Sequence, residues 1–222
     1  MLYLANPSTT RVRDAMVTGP VGAIMSPRQG NRLPAEAVFA IDNNCGPGKD
    51  GRPGTAYPGD ERYMTLIQAL IEADGADPYD PFTSRCLFAT APDVVGDAQA
   101  TLRRAYMLGW IRYAGLPAAL VAQDGLEHLA TPWDDFDALF LGGSTAWKLG
   151  PAARALVGEA KRRGKWVHMG RVNSLKRLWY ADAIGCDSAD GTFLTYAPDA
   201  NLPRLLGWLR EVNDQAPLWD AA

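Results

Sequence analysis

The sequence predicts a compact (β/α)8 barrel, an α/β fold of the TIM type in one domain, and three observations predict it. Eight short apolar segments recur along the 222 residues, each closed by a turn or a polar residue. Amphipathic stretches of helical period separate most of them. Acidic and amide side chains gather just past the segment ends, where a parallel sheet presents its mouth. Strands that alternate with helices imply a parallel sheet covered on its outside, and eight such units imply closure. An open doubly wound sheet is the alternative, and no Gly-x-Gly-x-x-Gly follows the first segment to support it.

In order, the strand segments are Leu2 to Ala5, Val21 to Met25, Val38 to Ile41, Leu87 to Ala91, Ala118 to Ala122, Ala138 to Leu141, Trp166 to Met169 and a weak last one at Ser188 to Asp190. Helical stretches run over Thr10 to Val17, Glu61 to Ala73, Gly96 to Ala114, Pro151 to Arg163, Ser174 to Ile184 and Leu202 to Val212. The links from the second strand to the third, and from the fifth to the sixth, are too short for a full helix. Asn173 or Ser174 opens the helix that Gly185 stops, so this strand, helix and following strand form a right-handed unit. The barrel accounts for residues 1–212. A Gly/Pro-rich run from Asn43 to Asp60 reads as a cover over the mouth, and Asn213 to Ala222 as a tail.

Composition narrows the class. With 47% hydrophobic residues the chain supports one substantial core. No apolar run reaches the length of a membrane span and no signal peptide is evident at the N-terminus, so a cytoplasmic protein with no membrane partner is expected. Three cysteines, Cys45, Cys86 and Cys186, with no close pair argue against a disulfide framework and a cysteine-based zinc site. A net charge of −3 gives no global attraction to nucleic acid. Lys161, Arg162 and Arg163 read as a solvated helix face, whereas Arg171 sits beside a strand end.

The strand ends offer a polar set: Asp42 with Asn43 and Asn44, Asp93, Gln123 and Asp124, Gly142 and Gly143, then His168, Met169 and Gly170, and finally Asp190. Carboxylates converging on one cavity repel one another and raise at least one pKa, which suits acid/base work beside a nucleophile. Asp, Gln and exposed glycine backbone also make a reader of a purine edge. Taken singly, any one of these residues serves equally well as a strand stop or helix cap. A lone His168 on a strand reads as a hydrogen-bonded core residue, and with only His128 elsewhere there is no histidine-rich metal site. Met169 fits either a contact with a flat ligand or filling of the barrel top.

Three blocks, Phe140-Leu-Gly-Gly-Ser-Thr-Ala-Trp-Lys-Leu149, His168-Met-Gly-Arg-Val-Asn-Ser174 and Gly185-Cys-Asp-Ser-Ala-Asp-Gly-Thr192, resemble the tRNA-guanine transglycosylase superfamily. Within it the chain looks most like the short phage and bacterial DNA-guanine transglycosylases, which insert 7-deazaguanines into DNA. Asp42-Asn-Asn44, Ala91-Pro-Asp-Val-Val95 and Leu120-Val-Ala-Gln-Asp-Gly125 match in the same order. The resemblance implies that Asp190 is the nucleophile on the sugar's anomeric carbon and that Asp42 is the general acid/base. It also implies that Asp93, Gln123 and the Gly142-Gly143 backbone read the base, with Met169 and Gly170 closing the pocket. Arg171 and Arg28 become the candidate contacts to a backbone phosphate. No cofactor and no metal are required.

The chain departs from that pattern in two places. Nothing after Cys186 supplies the cluster of cysteines and a histidine that binds zinc in the tRNA enzymes, which points to DNA rather than tRNA as the partner. Asn43-Asn44 replaces a more glycine-rich run. The expected reaction exchanges guanine for a free 7-deazaguanine such as 7-cyano-7-deazaguanine, with the base flipped out or presented single-stranded, and a protein that opens the duplex is a possible partner. A hydrolase with the same carboxylates, either a nucleosidase or a base-excising glycosylase, is the second expectation. A noncatalytic base-binding subunit is the third.

Overall fold

The described part of the chain forms a closed parallel barrel. A computed structural model describes residues 1–46, 56–76 and 83–214. Half of the predicted cover (47–55) and most of the tail (215–222) lie outside the described residues. The strands are β1 (Leu2–Ala5), β2 (Val21–Met25), β3 (Phe39–Ile41), β4 (Cys86–Thr90), β5 (Ala118–Ala122), β6 (Ala138–Leu141), β7 (Trp166–Met169) and β8 (Ser188–Asp190). Each pairs in parallel with the next, and β8 returns to β1 through Leu2 opposite Ser188 and Leu4 opposite Asp190. The predicted barrel is therefore the fold.

The helices are α1 (Thr10–Thr18), α2 (Asp60–Asp74), α3 (Ala98–Leu102), α4 (Tyr106–Tyr113), α5 (Thr145–Lys148), α6 (Pro151–Arg162), α7 (Leu175–Ala183) and α8 (Pro198–Asn213). Local chemistry sets their ends. The Thr9 hydroxyl accepts the Val12 N–H, the Ser174 hydroxyl accepts the Arg177 N–H, and Pro151 occupies the first turn of α6. No helix joins β2 to β3, and only two short 3-10 turns, Leu126–His128 and Trp133–Asp135, join β5 to β6. None of the described helices is long and apolar enough to cross a membrane.

Two elements differ from expectation. The stretch from Gly96 to Ala114 is two helices, because the backbone tightens to three-residue bonds at Arg104 and Ala105. That turn brings Arg104 Nη1 to the Asp93 carbonyl at 2.9 Å, a tertiary bond that local propensity does not contain. In β4, Leu87 is an extra residue between Cys86, opposite Phe39, and Phe88, opposite Ala40. The bulge reverses the facing of the strand beyond it.

Two apolar layers result. The larger lies between strands and helices, with Ala5, Ile41, Ala89, Leu141 and Met169 meeting Val12, Ile67, Val157 and Leu205. The smaller fills the barrel with Leu4, Ala40, Phe88, Ala119, Val121, Ala138 and Phe140. Alanines there leave room for the two phenylalanine rings and for His168, which is fully buried. This plug forms the floor of the mouth.

Candidate functional site

Strand alternation aims the polar residues. Ala40, Val121 and Phe140 point inward, so the residues two further on, Asp42, Gln123 and Gly142, do the same above them. His168 and Ser188 inside the barrel place Gly170 and Asp190 in that layer. The cavity they enclose measures about 180 Å³ and is lined by Asp42, Asp93, Gln123, Gly142, Gly170, Arg171 and Asp190, with Val121 and Phe140 as apolar wall and floor. Cys45, Gly46 and Val95 complete its rim.

Asp42 follows β3 directly and donates its backbone N–H to the Met25 carbonyl at 2.8 Å. Burial, then the charges of Asp190 and Asp93, push its carboxyl up to about 8, against partial relief from the N–H groups of Asn44 and Asn43. A carboxyl raised this far can hold a proton at neutral pH.

Asp93 is only 5% exposed. Its Oδ1 accepts from Asn43 Nδ2 at 3.0 Å, and its Oδ2 from Gln123 Nε2 at 2.5 Å. Burial raises the Asp93 carboxyl, while the bonds from Asn43, Cys45 and Gln123 hold it down. Asn43 also donates to the Ala91 carbonyl at 2.8 Å and takes the Cys45 N–H at 2.7 Å, so it braces the loops after β3 and β4 together. Burial, then Asp93, pushes the Cys45 thiol up to about 12, which leaves it a thiol rather than a nucleophile at neutral pH.

Asp190 ends β8 with 22% of its side chain exposed, the exposure lying toward the cavity it lines. His168 Nε2 stands 3.0 Å and the Arg171 backbone N–H 3.3 Å from its Oδ1. Arg171 adopts φ 63°, a left-handed conformation uncommon outside glycine. Its Nη2 donates to the Gly142 carbonyl at 2.6 Å and to the Gly143 carbonyl. Beneath this turn, Lys148 is 4% exposed and donates to the Gly170 carbonyl. Burial, then the Arg171 charge, pulls its amine down to about 7.

The structure brings Asp42, Asp93, Gln123, Gly142, Gly170, Arg171 and Asp190 together. Three other residues named from the sequence, Met169, Gly143 and Arg28, do not line this cavity. Met169 is buried in the layer behind the barrel, because His168 before it faces inward. The β7 side of the pocket is therefore closed by Gly170 with Phe140 beneath. Gly143 is one residue past the lining, where its carbonyl holds Arg171. Arg28 is exposed on the loop after β2, with Nη2 3.4 Å from the Ala56 carbonyl, outside the cavity lining. Lys148 falls within the block from Phe140 to Leu149 but has no role assigned from sequence, because it lies in a short helix and is buried only by packing. Glycine at 142 and 170 is required by closeness: a Cβ at Gly142 would stand 2.6 Å from Val121 Cγ1, and one at Gly170 2.9 Å from Phe140 Cε1.

No family model and no curated protein matches the chain. Among solved structures, it is similar to a native KDPGal structure at 14% identity and a TM-score of 0.50, over 96% of this chain and 94% of that one. It is also similar to the Bacillus subtilis YkuI protein, which has an EAL domain, at 14% identity and a TM-score of 0.44, over 81% of this chain. The chain matches 44% of the length of that protein, which was solved in complex with c-di-GMP and calcium. At this identity the likeness to the KDPGal structure shows the fold alone, a TIM barrel.

Proposed function

We propose that the protein is a glycosyltransferase acting on DNA, a guanine transglycosylase that exchanges guanine for a 7-deazaguanine through a covalent intermediate on Asp190. The observation that carries this reading is one cavity holding a carboxyl raised to about 8, Asp42, and a second acidic side chain, Asp190, together with a hydrogen-bonded pair, Asp93 and Gln123. A cavity of about 180 Å³ is smaller than the roughly 300 Å³ where drug-sized sites begin. It suits one heterocycle, with the sugar at its entrance.

The chemistry has two displacements. An Asp190 oxygen attacks C1′ while the bond from C1′ to guanine N9 breaks, and protonated Asp42 gives its proton to the departing base. After base exchange, Asp42 takes the N9 proton of the deazaguanine, whose nitrogen attacks C1′ and releases Asp190. Two inversions restore the original configuration. Asp93 accepts the ring N–H and amino protons of the base, and backbone at Gly142 lies close enough to meet the flat ring. Val121 and Phe140 keep the pocket apolar on two sides, which favours a returning base over water.

The test is base exchange. Guanine-containing DNA, single- and double-stranded, is incubated with the protein and 7-cyano-7-deazaguanine, then digested to nucleosides for mass spectrometry. The expected result is the deazaguanine deoxynucleoside, lost in Asp190→Ala. Release of guanine with no incorporated base moves the reading to a hydrolase.

A further inference from the structure

Beneath Asp190 lies a chain of side chains that base recognition does not use. Trp166 Nε1 stands 2.9 Å from Ser188 Oγ, Ser188 Oγ 2.8 Å from His168 Nδ1, and His168 Nε2 3.0 Å from Asp190 Oδ1. His168 and Ser188 are fully buried. The imidazole lies between Phe88 and Phe140, with ring centroids 5.2 and 4.5 Å away. These rings fix its plane and offer no polar partner.

The direction of every bond follows from donor chemistry. An indole N–H only donates, so Ser188 Oγ accepts from Trp166. The serine hydroxyl has one proton, and its remaining partner among the described residues is His168 Nδ1, so that nitrogen accepts it. The imidazole proton then resides on Nε2 and points at the carboxylate. The reverse tautomer would leave the hydroxyl proton without an acceptor among the described residues and set a nitrogen lone pair against Asp190.

We propose that Trp166, Ser188 and His168 form a one-way relay that holds His168 as the Nε2–H tautomer and pins Asp190 by Oδ1, making Oδ2 the oxygen that reacts. The Arg171 backbone N–H donates to the same Oδ1 at 3.3 Å. Two donors on one oxygen fix the carboxylate plane and leave the other oxygen as the less encumbered nucleophile. His168 and Ser188 are positioning residues, because they act through Asp190. The catalytic part of this inference rests on the proposed role of Asp190; the tautomer does not.

The first readout is therefore independent of activity. Ring 15N–1H correlation spectra of the whole protein resolve His168 from exposed His128, the only other histidine. The expected pattern at neutral pH is a protonated Nε2 and an unprotonated Nδ1 for His168, with a loss of that fixed pattern in Ser188→Ala or Trp166→Phe. An Nδ1–H tautomer, or protonation of both nitrogens, overturns the relay whatever the protein catalyses. The second readout is base exchange. His168→Ala is expected to lower kcat about 100-fold and Ser188→Ala about tenfold, with KM for the free base within about threefold, while His168→Gln, whose amide can still donate, recovers about tenfold. Unchanged kcat in Ser188→Ala overturns the positioning role. If wild type shows the expected tautomer but no exchange, the reading of Asp190 as a transglycosylase nucleophile fails and the relay stands.

Discussion

Gln123 donates from Nε2 to Asp93 Oδ2 over 2.5 Å, while its Oε1 accepts the Gly96 N–H at 2.9 Å. The Gly96 bond fixes which way the amide faces, because a backbone N–H needs an acceptor. Asp93 is thereby held with both oxygens oriented, by Asn43 on one side and Gln123 on the other. In Asp93→Asn an acceptor lining the cavity becomes in part a donor, which under the proposed function opposes the base. With bonds to charged groups contributing about 1.5–3 kcal/mol, KM for the base is expected to rise about 10- to 100-fold with a smaller change in kcat. Steady-state kinetics in the free base measures this. An unchanged KM would remove Asp93 from base reading.

Asp42 gives the pH dependence its sign. Its carboxyl is raised to about 8, above the unfolded value of 3.8. Departure of the first base needs the protonated form, so kcat/KM is expected to fall as pH rises through about 8. Asp42→Asn cannot transfer the proton and should lose about 10²- to 10⁴-fold. Stability carries the same sign. Above the unfolded pKa the unfolded state ionises first, so wild type loses stability relative to Asp42→Asn as pH rises toward 8, by at most about 1.4 kcal/mol per pH unit. Denaturant unfolding of both proteins at pH 5 and pH 8 checks it.

Lys148 titrates in the opposite sense. Its folded value of about 7 lies below the ordinary 10.5. Between these values the unfolded chain binds the extra proton, so wild-type stability rises with pH through that window and is lowest below it. Lys148→Met removes the buried amine and the bond to the Gly170 carbonyl together. Its stability relative to wild type is expected to improve as pH falls from 10 to 7. Exchange activity should fall because the Gly170–Arg171 turn loses its brace. Parallel melting curves across pH test the first statement, and activity at a fixed pH the second.

Gly170 tests the packing of the site. An added methyl would press on Phe140 Cε1 at 2.9 Å and stand 3.3 Å from Asp190 Oδ1. Gly170→Ala is expected to cost about 1–3 kcal/mol of stability through overpacking and to lower exchange more than that loss explains. Activity measured well below the melting temperature separates the two effects. Wild-type activity in this variant would mean that the β7 wall does not confine the substrate.

Much of the barrel was legible because period-2 alternation needs no distant information. Ala40 to Asp42, Val121 to Gln123, Phe140 to Gly142 and Ser188 to Asp190 are pairs two residues apart, and each carries the inward face from the plug to the mouth. The same parity sends Met169 outward once His168 is inward, so Met169 belonged to the helix-facing core. Alternation fails where the chain is irregular. The Leu87 bulge reverses the facing of β4, and the break at Arg104 depends on a carbonyl in another loop. Lys148 was hidden for a related reason, since only the packing of α5 beneath Gly170 buries it. The relay under Asp190 was out of reach because its direction depends on donors from two neighbouring strands.

The central claim is that Asp190 becomes covalently joined to the sugar. The most direct measurement incubates the protein with guanine-containing DNA without added deazaguanine, quenches rapidly, and maps the attached nucleotide by peptide mass spectrometry. An adduct on Asp190 is expected, discharged by 7-cyano-7-deazaguanine and absent in Asp190→Ala. An adduct on another residue, or base exchange that persists in Asp190→Ala, would contradict the account.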